Sequence, residues 1–132
     1  MDILDSKMIA TGIFFLFILL SGFWVSRSGK PYNGLIFNIH KLIGLAAGIY
    51  LIRAVYLTHQ AAPLSGTQWT AIVITVLLFI LTVAAGGLLS VLAEGGLQNM
   101  GAAAQKTIEL VHKVFPYVIV ASTGVTVYLL QM

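Results

Sequence analysis

Apolar residues occur in four long runs along the chain, separated by short polar segments. A helix needs about 20 predominantly apolar residues to cross the roughly 30 Å hydrocarbon core of a bilayer, because it rises only 1.5 Å per residue. All four runs meet this length. The pattern therefore predicts four transmembrane helices, at about residues 8–26, 35–59, 68–93 and 104–131.

The segments between the runs are short and rich in Gly, Ser, Asn and Pro: SRSGKPYNG, HQAAPLSGTQ and AEGGLQNMGAAAQKT. Such compositions are typical of loops, and short loops make successive helices antiparallel neighbours. We therefore expect an all-α integral membrane four-helix bundle with up-down-up-down topology. It would form a single transmembrane domain over residues 1–132.

The composition also indicates that the bilayer is the solvent of this protein. The chain of 132 residues is 59% hydrophobic and 8% charged, with a mean hydropathy of +1.00, whereas soluble proteins carry about 25% charged residues. This excludes a soluble globular domain and intrinsic disorder. The net charge of +3 is spread along the chain, so no nucleic-acid-binding surface is expected. The absence of cysteine excludes disulfides, iron–sulfur clusters and thiol catalysis.

The charged residues predict the orientation of the helices. The leading segment MDILDSK is acidic and no small-residue cleavage site follows the first run, so we interpret this run as a retained helix rather than a signal peptide. Five basic residues flank the first and third loops, whereas two lie on the other side of the membrane. The positive-inside rule therefore places these loops in the cytoplasm and both termini outside, in a plasma (inner) membrane. The basic residues are Arg27, Lys30, Lys41, Lys106 and Lys113 on the inner side and Lys7 and Arg53 on the outer side.

Two of the three histidines lie at matching positions in two helices that run in the same direction. His40 is near the start of the second predicted helix and His112 near the start of the fourth. At a rise of 1.5 Å per residue, each lies roughly 10–12 Å from the membrane midplane. Two imidazoles at one depth can face each other across the core of a bundle, where cofactors are held by side chains from facing helices.

Small residues are expected close to the histidines in the bundle. Gly44 and Gly48 follow His40 at intervals of four residues along one face of the helix, and the third helix brings the small residues 84–87 to about the same level. Residues without bulky side chains would let the flat macrocycle of a porphyrin pass close to the backbone. Small residues at this spacing are also the usual device for tight packing of membrane helices, so the glycines alone do not decide between the two roles.

The two helices that contain these histidines resemble each other in sequence. Aligning His40 with His112 matches His-Lys in both helices, and Val-Tyr-Leu recurs at identical offsets, at residues 55–57 and 127–129. Such a match fits a parallel duplication of a two-helix hairpin. The duplication would bring the equivalent histidines together about a pseudo-twofold axis along the membrane normal. The match does not extend clearly into the first and third helices.

These features resemble the cytochrome b561 type of membrane b-type cytochrome. The resemblance rests on the four-helix layout, on HKLIG from His40 to Gly44, and on a second His-Lys pair formed by His112 and Lys113. It implies a haem b whose iron has His40 and His112 as axial ligands, and electron exchange with quinones, ascorbate or a partner redox subunit. The larger members use two histidine pairs for two haems. Here the remaining histidine, His59, has no partner in the chain, so we expect one haem per chain.

Ligation by two histidines would favour electron transfer. Two imidazoles saturate the axial positions of the iron, which disfavours oxygen binding. We therefore expect an electron-transfer protein or the membrane subunit of a redox enzyme rather than a self-contained enzyme. Lys41 and Lys113 either pair with the haem propionates or anchor the helices at the positive inner face. Arg53 points away from the proposed haem face and is expected to extend to the outer headgroups, although with His59 and Gln60 it could line a quinone or anion site.

Other interpretations remain open. One is a cofactor-free membrane scaffold or assembly subunit whose histidines are incidental. Another is a peripheral metal site that combines His112 with Glu109 or Glu94, although zinc and non-haem iron require further ligands. A small multidrug exporter is disfavoured, because no carboxylate lies at the centre of any apolar run. Besides the lipid bilayer, the partners to consider are a quinone, a redox subunit and a second copy of the chain, which could build a site from two His59 side chains.

Overall fold

The computed structural model describes residues 3–29 and 33–131. Within these ranges the chain contains no β-strand and forms four α-helices, which confirms the all-α fold class and the four predicted helices. The helices are α1 (Ile3–Ser28), α2 (Gly34–Ala61), α3 (Gly66–Ala93) and α4 (Ala102–Gln131). Lys30, one of the basic residues used to predict the orientation, lies outside the described residues.

Every helix contains a segment that is long and apolar enough to cross a membrane. The outward surfaces carry large apolar side chains: Leu35, Ile52 and Phe23 expose 71%, 69% and 62% of their surface. A contiguous apolar surface of this extent is unsuited to water and marks contact with lipid or with another protein. The chain is a multi-pass membrane protein. The candidate spans are Ile9–Ser28, Gly34–Ala61, Gly66–Ala93 and Ala102–Leu130.

Side-chain caps define where α2 and α3 begin. The side chain of Asn33 accepts hydrogen bonds from backbone N–H groups in the first turn of α2. Ser65 and Gln68 form a capping box, in which each side chain accepts a hydrogen bond from the backbone N–H of the other residue. The side-chain amide of Gln68 also donates to the backbone carbonyl of Leu129 at 2.9 Å. The start of α3 is therefore fastened to the end of α4.

The helices pack mainly as two hairpins, α1 against α2 and α3 against α4, with a smaller contact between α1 and α4. Small and hydroxyl-bearing side chains are prominent among the buried residues. The hydroxyl of Thr75 on α3, for example, lies 2.6 Å from the hydroxyl of Ser122 and 3.1 Å from that of Thr126, both on α4. Such contacts are typical of membrane helices, where small residues let backbones approach closely. Each hairpin is a closely packed unit.

Candidate functional site

The imidazole rings of His40 and His112 lie next to each other where the two hairpins meet. Their ring centroids are 6.2 Å apart and the ring planes are at 89° to each other. His40 is on α2 and His112 on α4, and both residues are partly buried. The sequence places the two histidines at one depth on helices of the same direction, and the structure brings their side chains together.

Each imidazole is held at its Nδ1 atom by the other helix of its own hairpin. Nδ1 of His40 lies 2.9 Å from the hydroxyl oxygen of Ser21 on α1. His112 donates from Nδ1 to the backbone carbonyl of Thr82 on α3, at 3.0 Å. Both Ser21 and Thr82 are buried. Within residues 3–29 and 33–131, neither Nε2 atom has a hydrogen-bond partner, so both remain available to another ligand.

A glycine lies against each imidazole and makes room for it. A Cβ atom at Gly22 of α1 would lie 3.0 Å from Cε1 of His40, and a Cβ atom at Gly86 of α3 would lie 2.7 Å from Cε1 of His112. A side chain at Gly86 would push the ring aside, and one at Gly22 would crowd it. Each hairpin therefore supplies the same unit, with a glycine and a hydrogen-bonding group on its first helix and a histidine on its second.

A similar arrangement recurs in the two hairpins, although Gly22 and Gly86 are 64 residues apart and the two histidines are 72 residues apart. Gly22 and Gly86 contact equivalent histidines. Four residues before Gly22 is Ile18, whose carbonyl accepts a hydrogen bond from the Ser21 hydroxyl at 3.0 Å. Four residues before Gly86 is Thr82, whose carbonyl accepts from His112. The arrangement supports the interpretation of the bundle as a duplicated two-helix hairpin.

The hydrogen bonds and the separation of the two histidine rings are compatible with both rings binding one metal ion. Histidines that bind metals commonly donate the N–H of their other ring nitrogen to a carbonyl or a similar acceptor, which fixes the ring and leaves one nitrogen for the metal. Two imidazoles on opposite sides of one ion, each bonded at about 2 Å, have ring centres roughly 6 Å apart. The ring centroids of His40 and His112 are 6.2 Å apart, which is close to this value.

The two glycines that follow His40 have different surroundings. A Cβ atom at Gly44 would have no atom within 4 Å, so the backbone of α2 is accessible there. A Cβ atom at Gly48 would lie 2.9 Å from the ring of Phe79 on α3. Gly48 therefore accommodates Phe79, and of the two glycines it is Gly44 that leaves open space one turn from His40.

The two lysines next to the histidines differ in their partners. Nζ of Lys41 donates to the hydroxyl of Ser90 on α3 at 2.9 Å and lies 4.2 Å from the centre of the Phe37 ring. In the described part of the chain, Lys41 has no carboxylate partner. Lys113 forms a salt bridge of 2.7 Å with Glu109, one turn earlier on α4. The charge of Lys113 is therefore balanced within its own helix, and that of Lys41 is available to an anionic group.

The third histidine lies at the opposite end of α2. The ring of His59 is 5.4 Å from that of Trp69 on α3, and the side chains of Arg53 and Gln60 are exposed nearby on the same helix. Across residues 3–29 and 33–131, no group of three or more histidine, aspartate or glutamate side chains is placed to hold a metal ion.

The roles of Ser21, Gly22 and the Thr82 carbonyl were not predicted from the sequence. The small residues 84–87 were expected near the histidines, but the contact between Gly86 and His112 was not. A signal was present on α1, because Ser21 and Gly22 are the only small residues between Ile13 and Val25. The Thr82 acceptor is a backbone group, for which the sequence offers no signal.

No protein-family model, curated protein or solved structure matches the chain. The resemblance to the cytochrome b561 type stays a prediction based on the helical layout and the two His-Lys pairs. The function of the site is accordingly inferred from its own geometry.

Proposed function

We propose that this protein is a membrane b-type cytochrome that binds one haem b between His40 and His112 and carries electrons, alone or as the membrane subunit of a redox complex. The observation that carries the proposal is the pair of adjacent imidazoles whose Nδ1 atoms are engaged by Ser21 and Thr82. Haem b supplies a one-electron iron couple, and two axial imidazoles favour electron transfer over oxygen chemistry. A quinone or a partner redox subunit is the expected electron partner.

The residues around the histidines suit a flat cofactor with an apolar body and anionic substituents. Gly44 leaves the backbone of α2 accessible one turn from His40. Lys41 supplies a positive charge whose present partner is the neutral hydroxyl of Ser90. A propionate would bind this ammonium group more strongly, because hydrogen bonds between charged groups are stronger than those to neutral ones. Both ligands lie on helices, which hold side chains more rigidly than loops do.

The visible absorbance spectrum of the purified full-length chain, expressed with haem supplied, tests this proposal. We expect a Soret band that sharpens on reduction with dithionite, together with split visible bands, as for six-coordinate haem b. Carbon monoxide should leave the reduced spectrum unchanged, because the imidazoles occupy both axial positions. A folded, colourless protein would contradict the proposal and favour the cofactor-free membrane scaffold.

We also propose that the histidine pair lies near the cytoplasmic face of a plasma (inner) membrane, with both termini outside. Arg27, Lys41, Lys106 and Lys113 lie toward the end of the bundle that contains the histidines. Basic residues beside helix ends favour the cytoplasmic side of a membrane.

Single cysteines test this orientation, since the chain itself contains no cysteine and each variant can be labelled at one position only. Ser28 ends α1 and Ser65 precedes α3, so the two residues lie at opposite ends of the bundle. In intact cells, a membrane-impermeant maleimide is expected to label the Ser65→Cys variant and to leave Ser28→Cys unlabelled until the membrane is permeabilised. Labelling of Ser28→Cys alone in intact cells would show the opposite orientation.

A further inference from the structure

We propose that Ser21 is a positioning residue that holds His40 in the tautomer with a proton on Nδ1, and that it thereby sets the strength of His40 as an iron ligand. The first part concerns the chain alone, whereas the second part rests on the proposed function. Ser21 is 7% exposed, and its hydroxyl oxygen lies 2.9 Å from Nδ1 of His40. The backbone carbonyl of Ile18, to which the Ser21 hydroxyl donates, also lies close to this ring.

The donor and the acceptor in each hydrogen bond of Ser21 can be assigned. The Ser21 hydroxyl donates to the backbone carbonyl of Ile18, at 3.0 Å. A hydroxyl has one proton to donate and can accept a further hydrogen bond, so the Ser21 oxygen is an acceptor toward His40. Nδ1 of His40 is then the donor, and the neutral ring presents an unprotonated Nε2. This is the tautomer that a ligand binding through Nε2 requires.

The two histidines are held by groups of different kinds. His112 donates to the backbone carbonyl of Thr82, an acceptor that no side-chain substitution removes. On α1 the equivalent carbonyl belongs to Ile18, and the Ser21 hydroxyl bridges this carbonyl and His40. The support of one ligand can therefore be altered at Ser21 while the support of the other is unchanged.

The hydrogen bond at Nδ1 affects electron donation from Nε2. Donating the Nδ1 proton to an acceptor raises the basicity of a metal-binding imidazole, and a more basic ligand stabilises ferric iron more than ferrous iron. Hydrogen bonding beyond the ligands contributes roughly 10–100-fold to metal affinity. We expect Ser21→Ala to weaken ferric haem binding about tenfold relative to ferrous binding. For a one-electron couple, this tenfold change corresponds to a rise of about 59 mV in the reduction potential.

Three variants of the full chain test the role of Ser21. Ser21→Ala removes the hydroxyl. Ser21→Thr keeps it, because threonine in a helix directs its hydroxyl to a carbonyl three or four residues earlier. Ser28→Ala is the matched control: the Ser28 hydroxyl also donates to a carbonyl three residues earlier on α1, that of Val25, at 2.7 Å, and it contacts no histidine.

Redox titration and nitrogen NMR of labelled histidine provide the two measurements. We expect Ser21→Ala to raise the potential and to shift the His40 signals away from the Nδ1-protonated tautomer, with the His112 signals unchanged. Ser21→Thr and Ser28→Ala should match the wild-type protein. Equal potentials and equal His40 signals in Ser21→Ala and wild type would overturn the proposal, and so would a wild-type His40 protonated at Nε2.

The NMR measurement on protein prepared without haem separates this inference from the proposed function. A chain that never binds haem refutes the cytochrome proposal. Its His40 signals still report whether Ser21 holds the tautomer: a shift in Ser21→Ala supports the positioning role, and identical signals overturn it.

Discussion

His40→Ala and His112→Ala are each expected to abolish the absorbance spectrum of six-coordinate haem. The proposed haem is held by both imidazoles, whose ring centroids are 6.2 Å apart, and each variant removes one of them. The remaining histidine would leave an iron with an open axial position, which changes the spin state and permits carbon monoxide to bind. Imidazole added to the buffer should restore the six-coordinate spectrum, because it can occupy the position that the missing side chain leaves.

His59→Ala is the control for this pair of variants. His59 contacts Trp69 at the opposite end of α2 and does not approach the other two histidines, so its removal should leave the spectrum unchanged. If His59→Ala removed the spectrum and His40→Ala kept it, the ligand pair would be wrongly assigned. If all three variants kept the spectrum, histidine ligation itself would be refuted.

Gly86→Ala is expected to weaken haem binding about tenfold or more, as loss of ligand support does at other metal sites. The added Cβ atom would lie 2.7 Å from Cε1 of His112, a distance that forces the ring to move. A displaced ring weakens its hydrogen bond to the Thr82 carbonyl and moves Nε2 from the position that it has in the wild-type protein. Titration of haem into the purified chain, followed by absorbance, measures the effect.

Gly87→Ala is a closely matched control for this substitution. A Cβ atom at Gly87 would have no atom within 4 Å, so the variant should bind haem as the wild-type chain does. In both variants, alanine favours the helix by about 1 kcal/mol over glycine, so a glycine without a packing role would yield a more stable protein with unchanged binding. Equal haem affinity in the two variants would show that His112 does not depend on Gly86.

The sequence predicts the helices and the level of the two histidines for simple physical reasons. Long apolar runs locate the membrane-crossing segments, and the position of a residue along a helix gives its depth. The largest difference between the predicted and the observed helix bounds is at the start of α1, which begins at Ile3 rather than near residue 8. Hydropathy identifies the segment within the membrane, whereas the helix continues through the polar residues that precede it.

The rotation of each helix about its axis is less accessible from the sequence. A membrane helix is apolar on most of its surface, so hydrophobic periodicity does not identify the inward face. This is why the contacts of Ser21 and Gly22 with His40 could not be derived. Gly48 does not lie on the same face of α2 as His40, because eight residues of α-helix accumulate a rotation of about 80°. That rotation turns Gly48 toward Phe79.

The low-temperature electron paramagnetic resonance spectrum of the oxidised wild-type protein is the decisive measurement for a haem held by two histidines, because it reports the axial ligation of the iron and the number of iron centres together. With His40 and His112 as the two axial ligands, we expect a single low-spin ferric signal that integrates to one iron per chain. A predominantly high-spin signal, or no ferric haem signal from protein prepared with haem supplied, would contradict this ligation.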